Sequence, residues 1–122
     1  MKKIAGKKRV TPWEVTGAID YEKLTREFGV ELIDDTLLSR IQKQSKKLHF
    51  MLRRKIFFAG RDLKWLLDEY EKGNKFFLYT GRAPSGNVHL GHMLPWILTK
   101  WLQDVFDVEL WFQFPDEEKF LF

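Results

Sequence analysis

Hydrophobic residues recur at steps of three and four in three successive stretches of the chain, which is the spacing of one helix face. These stretches contain Tyr21, Leu24 and Phe28, then Leu37, Leu38 and Ile41, then Leu63, Leu66, Leu67 and Tyr70. The residues that can cap them are Asp20, then Asp34 or Asp35, then Asp62, and the residues that can end the first and third are Gly29 and Gly73. We therefore expect three helices, the first ending near residue 28 and the third near residue 72.

The pattern then changes to that of a strand, a helix and a second strand. Residues 75–80 form a short apolar run bounded by Gly73 and Gly81, which is typical of a buried parallel strand. Apolar residues return at helical spacing from about residue 93 to 106, and residues 108–114 form the next extended run. The sequence predicts one βαβ unit with a right-handed crossover, and therefore an α/β fold.

Two parallel strands rarely form a stable sheet alone, because such sheets are covered on both faces and have more neighbours. We therefore expect this chain to be the front portion of a larger α/β protein.

Residues 48–58 allow two interpretations. Arg53, Arg54 and Lys55 lie among aromatic residues, a mixture that can bind a nucleic-acid backbone. Phe57 and Phe58 beside Ile56 equally suggest a strand or turn that packs on the core. Packing is the favoured interpretation.

Charge divides the chain into a basic first half and an acidic second half. Residues 1–60 carry 14 Lys and Arg against 7 Asp and Glu, whereas residues 61–122 carry 7 against 10. Residues 1–10 contain five cations, which indicates a solvated tail or, alternatively, an arm that meets nucleic acid. The chain has no cysteine and no run of about 18 apolar residues, so we expect a cytoplasmic protein without a membrane span.

The connection between the predicted strand and helix carries the candidate chemistry. Gly81, Gly86 and Gly91 allow close approach of the backbone, and His89 and His92 lie three residues apart at the helix start. Imidazoles at a helix N-terminus can donate hydrogen bonds to phosphate, and the helix dipole adds to that field. The alternative is that one histidine caps or packs while the other meets solvent.

A zinc site and a dinucleotide-binding site are less consistent with the sequence of this connection. Zinc needs three or four ligands, and neither a cysteine nor a third nearby histidine is present, so we expect no protein-bound metal. A dinucleotide site would have glycines two and three residues apart, whereas the glycines here are five apart.

The segment Pro84-Ser85-Gly86-Asn87-Val88-His89-Leu90-Gly91-His92 resembles the first signature of class I aminoacyl-tRNA synthetases. Its flanks narrow the likeness to tryptophanyl-tRNA synthetases of the archaeal and eukaryotic type. The flanking segments that carry this likeness are Pro12-Trp13, Ile19-Asp20-Tyr21, Phe50-Met51-Leu52-Arg53-Arg54, Phe57-Phe58, Arg61-Asp62, Tyr79-Thr80-Gly81-Arg82, Thr99-Lys100-Trp101-Leu102-Gln103-Asp104 and Asp116-Glu117-Glu118-Lys119-Phe120-Leu121.

The resemblance implies a division into three regions. Residues 1–16 would be a basic arm, residues 17–74 a helical region, and residues 75–122 the first half of a Rossmann-like catalytic domain, incomplete in this chain. The second class signature, a lysine-rich loop that clamps pyrophosphate, is not in these 122 residues, so the chain alone is expected to be inactive.

The resemblance also implies roles for individual residues. His89 and His92 would be catalytic, steadying the triphosphate during attack on the α-phosphorus. Arg82 would contact phosphate, with Gly81, Gly86 and Gly91 leaving room for ATP. Tyr79 and Gln113 would hold the indole N–H of tryptophan, and Glu118 its ammonium group. From the residues alone, Gln113 could instead be a polar residue of an edge strand.

The implied reaction is activation of tryptophan by ATP, expected with Mg²⁺, followed by transfer to tRNA(Trp) by a homodimeric enzyme. A non-catalytic synthetase-like module that binds tRNA, a nucleotide or a partner protein is the alternative from another class. A related class I enzyme such as the tyrosyl synthetase is a third possibility.

Overall fold

The computed structural model describes residue 25, residues 29–84 and residues 86–121, without the side chains of residues 118 and 119. The elements in chain order are β1 (Glu31–Leu32), α1 (Asp35–Lys43), α2 (Phe50–Arg53), β2 (Ala59–Gly60), α3 (Leu63–Glu71), β3 (Leu78–Gly81), α4 (Leu90–Phe106), β4 (Leu110–Gln113) and α5 (Glu118–Leu121).

The predicted βαβ unit is confirmed. Strands β3 and β4 pair in parallel, with Leu78 opposite Leu110 and Gly81 opposite Gln113, and α4 connects them. Both strands are shorter than expected, and α4 begins three residues before the predicted start at residue 93. The two histidines therefore lie at the first turn of a 17-residue helix.

Helix α1 begins as its sequence predicts. Of the two candidate caps, Asp34 is the one used: its Oδ1 accepts the backbone N–H of Leu37 at 2.8 Å. Leu37 and Ile41, on the apolar face of α1, are buried.

The side chain of Arg40 joins α1 to α3 by donating to Asp68 and Glu71. Hydrogen bonds from this guanidinium hold the pKa values of both carboxyls below their ordinary values.

The prediction that the side chain of Asp62 caps α3 is wrong, although Asp62 does precede the helix. Asp62 occupies the position before the helix, but its backbone is left-handed, with φ +55°, and its side chain makes no capping hydrogen bond. A capping side chain normally needs an extended backbone to reach the N–H groups of the first turn. The other end follows the prediction, because Gly73 takes φ +93° and its N–H donates to Tyr70 O.

The first predicted helix, residues 20–28, and the basic arm, residues 1–16, lie outside the described residues apart from Thr25, which is helical. Gly29 has the predicted left-handed backbone, with φ +61°. The N–H of Val30 donates to Thr25 O at 3.1 Å, a bond typical of a helix that ends at a glycine.

Residues 48–58 divide between the two interpretations of their sequence. Met51 and Leu52 are buried in the short helix α2, and Phe57 packs against the core, so packing is confirmed for these three residues. Phe50 and Ile56 are exposed, so the packing interpretation is wrong for them. Arg53 and Arg54 remain exposed. The sequence did not predict α2, nor the two-residue strands β1 and β2, which pair antiparallel.

One hydrophobic core joins the helical region to the βαβ unit. Its buried members are Leu37, Ile41, Leu48, Met51, Leu52, Leu67, Leu98, Phe106 and Val108. Tyr70 and Phe106 meet edge to face with ring centroids 4.9 Å apart, and the Tyr70 hydroxyl donates to Phe106 O. Because the core draws on both parts, the helical region fixes the position of α4.

The sheet and α4 also carry apolar surface that no described residue covers. Phe77, Tyr79 and Trp111, which alternation puts on one face of the sheet, are each more than 60% exposed. Leu90, Met93, Leu94 and Ile97 form an exposed stripe along the first half of α4.

Replacing Leu67 by Ala should lower the free energy of unfolding by about 2–5 kcal/mol, because Leu67 is 2% exposed and its loss leaves a cavity between α3 and the core. Urea unfolding followed by circular dichroism measures this change. Trp65→Ala on the same helix is the matched control, since Trp65 is 64% exposed and should cost about 0.5 kcal/mol or less. Equal losses in the two variants would contradict this description of the core.

Candidate phosphate-binding site

The connection from β3 to α4 brings the predicted phosphate-binding residues to one edge of the sheet. Arg82 follows β3 directly, and its backbone N–H donates to Gln113 O, which continues the ladder with β4. His89 is the residue before α4, with the extended backbone typical of a helix cap. The carboxyl ends of the strands and the N-terminus of α4 therefore meet here.

The two histidines cap the helix that they begin. The Nδ1 atom of His89 accepts the backbone N–H of Gly91 at 3.2 Å, and the Nδ1 atom of His92 accepts the backbone N–H of His89 at 3.2 Å. This reciprocal arrangement is a capping box, formed here by two imidazoles at the spacing usual for Ser or Thr and Glu. Both rings therefore cap the helix, whereas the alternative expected only one of them to cap or pack.

Capping does not exclude phosphate binding, because the two functions use different ring nitrogens. A neutral imidazole has one N–H and one acceptor nitrogen. Since Nδ1 of each ring accepts a backbone N–H, the proton of each neutral ring is on Nε2. The caps therefore select the tautomer in which both rings have an Nε2–H donor available to an anion.

The environment also disfavours a charge on His92. Desolvation, followed by the positive charges of Arg82 and His89, lowers the pKa of His92 below its ordinary value. The ring centroids of His89 and His92 are 3.7 Å apart, close enough for a charge on His89 to lower the pKa of His92. The lowered pKa favours His92 as a neutral N–H donor rather than as a cation.

Arg82 is the nearby permanent cation, and it also holds the shape of the turn. Its Nη2 atom donates to the carbonyl oxygens of Gly86 and Asn87, at 3.2 and 3.1 Å. The guanidinium lies close enough to His92 to lower that residue's pKa. One side chain thus braces the loop and places positive charge beside the histidines.

The three predicted glycines have separate reasons for lacking a side chain. A Cβ at Gly81 would come within 2.3 Å of Gln113 O, so this glycine allows β4 to approach β3. A Cβ at Gly91 would meet the ring of His89 at 3.1 Å, so this glycine lets the capping ring fold over the helix start. Gly86 has open space around it but takes φ +89°, which side chains disfavour.

Tyr79 and Gln113 lie on the same face of the sheet. Tyr79 is opposite Trp111, and Gln113 is two residues further along β4, so alternation directs both to one side. Phe112, on the other face, contacts Trp96 of α4 with ring centroids 5.2 Å apart. The predicted indole partners are thus together and exposed on the face away from α4.

Glu118 begins α5, five residues beyond the end of β4 at Gln113, and its side chain lies outside the described part of the chain. Among the described residues, no group of three or more His, Cys, Asp or Glu side chains is arranged to hold a metal ion. Within the same residues no helix is long and apolar enough to cross a membrane.

A third histidine cap was not predicted. The Nδ1 atom of His49 accepts the N–H of Met51 at the start of α2, and its ring lies 5.4 Å from that of Trp101 on α4. Desolvation and the charge of Arg53 lower its pKa. The only sequence signal was its position before an apolar run, which is weak because histidine is not a common cap.

Tryptophan–tRNA ligases are among the known proteins that are similar to this chain in sequence and fold. No family model matches the sequence. The tryptophan–tRNA ligase of Pyrococcus furiosus is 54% identical over 115 residues, which make up 93% of this chain and 30% of that protein. The chain thus spans about 30% of the length of the curated relatives that it matches.

Solved structures agree with the sequence relatives. The tryptophanyl-tRNA synthetase from Trypanosoma brucei superposes with a TM-score of 0.79 at 52% identity, over 84% of this chain and 32% of that one. The synthetase from Encephalitozoon cuniculi, solved bound to tryptophan, gives 0.78 at 46% identity, over 86% and 30%. Over the region that it covers, this chain is similar in sequence and fold to tryptophan–tRNA ligases.

The likeness to tryptophan–tRNA ligases confirms the resemblance and the predicted fold class. The parallel pair β3–β4 with α4 is the first βαβ unit of a Rossmann-like sheet of the class I type, preceded by the helical region. The division into a basic arm, a helical region and an incomplete catalytic domain stays a prediction.

Acid should weaken the fold partly through His92. Its lowered pKa means that the unfolded chain binds the proton more tightly, so stability is present above the ordinary histidine pKa of about 6.5 and falls with pH below it. Protonation at Nδ1 also removes the cap.

His92→Asn is the test, because Asn keeps an acceptor near the position of Nδ1 but does not titrate. Between about pH 7.5 and pH 5 the parent chain should lose more thermal stability than this variant. His49 is present in the unsubstituted chain and in the variant, so a difference in the pH dependence of thermal stability is due to His92. Identical pH dependence would contradict the assignment.

Proposed function

We propose that this chain supplies the triphosphate-binding turn and part of the amino-acid pocket of a tryptophan–tRNA ligase. The complete reaction joins tryptophan to tRNA(Trp) at the expense of ATP. The observation that supports this most directly is the pair of capped histidines, whose Nε2–H groups are free to act as donors at the N-terminus of a 17-residue helix.

The first step forms tryptophanyl-adenylate. A carboxylate oxygen of tryptophan attacks the α-phosphorus, the bond to the bridging oxygen breaks, and pyrophosphate leaves with the electron pair. His89 and His92 donate to the triphosphate as its charge shifts, and Arg82 adds positive charge beside them. Donors that are fixed before the reaction stabilise such a transition state without reorganising.

The caps explain why fixed donors are available at this site. A free imidazole can flip and exchange its proton between two nitrogens, whereas each of these rings is held by a backbone N–H. The hydrogen bonds of Arg82 to Gly86 and Asn87 keep the turn open in the same shape. Mg²⁺ would arrive with ATP and neutralise charge on its phosphates.

The second part of the proposal concerns tryptophan. Indole has a single N–H and a broad apolar face, so acceptors on Tyr79 and Gln113 beside aromatic residues suit it. Their shared face of the sheet supports this assignment. Glu118 would bind the ammonium group.

In the transfer step a terminal ribose hydroxyl of tRNA attacks the acyl carbon and AMP leaves. By likeness to the family, the complete enzyme is a cytoplasmic homodimer.

The test uses a chimera in which this chain replaces the matching 115 residues of the Pyrococcus furiosus relative. His89→Ala or His92→Ala should slow tryptophan-dependent exchange of pyrophosphate into ATP by about 10–1000-fold, with little change in tryptophan affinity. The loss comes from the missing donor and from the lost cap together.

Two conservative variants separate these causes. His→Asn keeps an acceptor for the cap but lacks the Nε2 donor, so it should be stable and slow. His→Gln has an amide near Nε2, so it should retain more activity with a less stable helix start. Fast exchange in both Ala variants would disprove the phosphate role, and no exchange in the parent chimera would favour a non-catalytic module.

A further inference from the structure

The described part of the chain has one stretch in which cations occur without acids. From Thr36 to Arg61 the sequence contains eight Lys and Arg and no Asp or Glu. Five of the eight, which we call the cationic surface, are exposed around α2, namely Lys46, Lys47, Arg53, Arg54 and Lys55.

The cationic surface differs from the other charged surfaces of the described residues. Arg40, Lys64, Lys72 and Lys100 each form an ion pair with a carboxylate on α3 or α4. The five cations of the surface form no ion pair with a described residue. Asp34 and Asp35 line the same open groove as Lys55, but neither carboxylate forms an ion pair with the ammonium group of Lys55.

Lys55 has a left-handed backbone conformation, which is usually found at glycine. It takes φ +54° just after α2, its N–H donates to Leu52 O, and the N–H of Ile56 donates to Met51 O. This is the glycine-type helix ending, and lysine is an unusual residue for it. Glycine would suit this backbone conformation better than lysine.

Apolar contacts hold the surface in place and set its distance from the nucleotide turn. Met51 and Leu52 anchor α2 in the core, and the ring of His49 rests near Trp101 of α4. Trp101 is twelve residues from His89, or about 18 Å along the helix. The surface is thus too distant to contact a triphosphate at the turn.

We propose that the cationic surface binds phosphates of the tRNA backbone away from the terminal adenosine. This inference rests on the proposed function. A dense set of exposed cations that form no ion pair with a described residue, on an anchored element, suits a polyanion, and Phe50, 41% exposed beside them, offers an aromatic contact. An acidic protein segment is the competing occupant, and the experiment separates the two.

The chimera described above is assayed as the double variant Arg53→Gln/Arg54→Gln. The KM for tRNA in aminoacylation should rise by about 5–50-fold at moderate salt, and the slope of log KM against log salt should flatten by about 1–2, as expected for one or two lost phosphate contacts. Tryptophan-dependent pyrophosphate exchange, which needs no tRNA, should not change.

Lys64→Gln/Lys75→Gln is the matched control, since it removes the same charge from exposed positions elsewhere and should leave KM for tRNA within about 2-fold. Lys55→Gly should raise the melting temperature while raising the same KM, because glycine fits the backbone but carries no charge. That combination is not expected if Lys55 serves only the fold.

An unchanged KM and salt slope in the Arg53→Gln/Arg54→Gln variant would overturn the proposal. A loss of exchange and of thermal stability in that variant would also overturn the proposal. Such a loss would indicate that the two arginines normally pair with an acidic segment of the enzyme and hold it in place. Absence of exchange in the parent chimera, by contrast, would be a failure of the proposed function.

Discussion

The unpaired backbone N–H groups at the start of α4 are the constraint on which the candidate site depends. A helix leaves its first N–H groups without internal partners, and here two imidazoles accept them. The same hydrogen bonds assign the ring protons to Nε2. Local helix chemistry thus produces a pair of oriented donors, and Gly91 is needed because a side chain would meet the ring of His89.

This arrangement works only if α4 is itself held firmly. Leu98 and Phe106 anchor the helix in a core built largely from α1, α2 and α3, and Tyr70 bonds to the carbonyl oxygen of Phe106. Gly81 lets β4 come close enough to β3 to set the sheet edge from which the turn departs. The helical region is therefore a foundation for the site, although it contributes no residue to the turn.

The sequence predicted those elements whose signals are local. The caps at Asp34 and Gly73, the apolar spacing of α4 and the parallel strand after Gly73 are all properties of short segments. The strands β1 and β2 have two residues each and gave no periodic signal, and the left-handed backbone of Asp62 is set by its neighbours. For the site, the residue types and spacing were readable, but the direction of each ring and the contact of Gly81 with Gln113 depend on packing.

The central claim is that His89 and His92 are held as Nε2–H donors for a triphosphate, and nuclear magnetic resonance of the histidine nitrogens tests it directly. The chain has three histidines, and His49 serves as an internal reference away from the turn. Long-range proton–nitrogen spectra should show His89 and His92 as Nε2–H tautomers, and added MgATP should shift their Nε2 signals while leaving those of His49 in place. Nδ1–H tautomers, or no selective response to MgATP, would contradict the account.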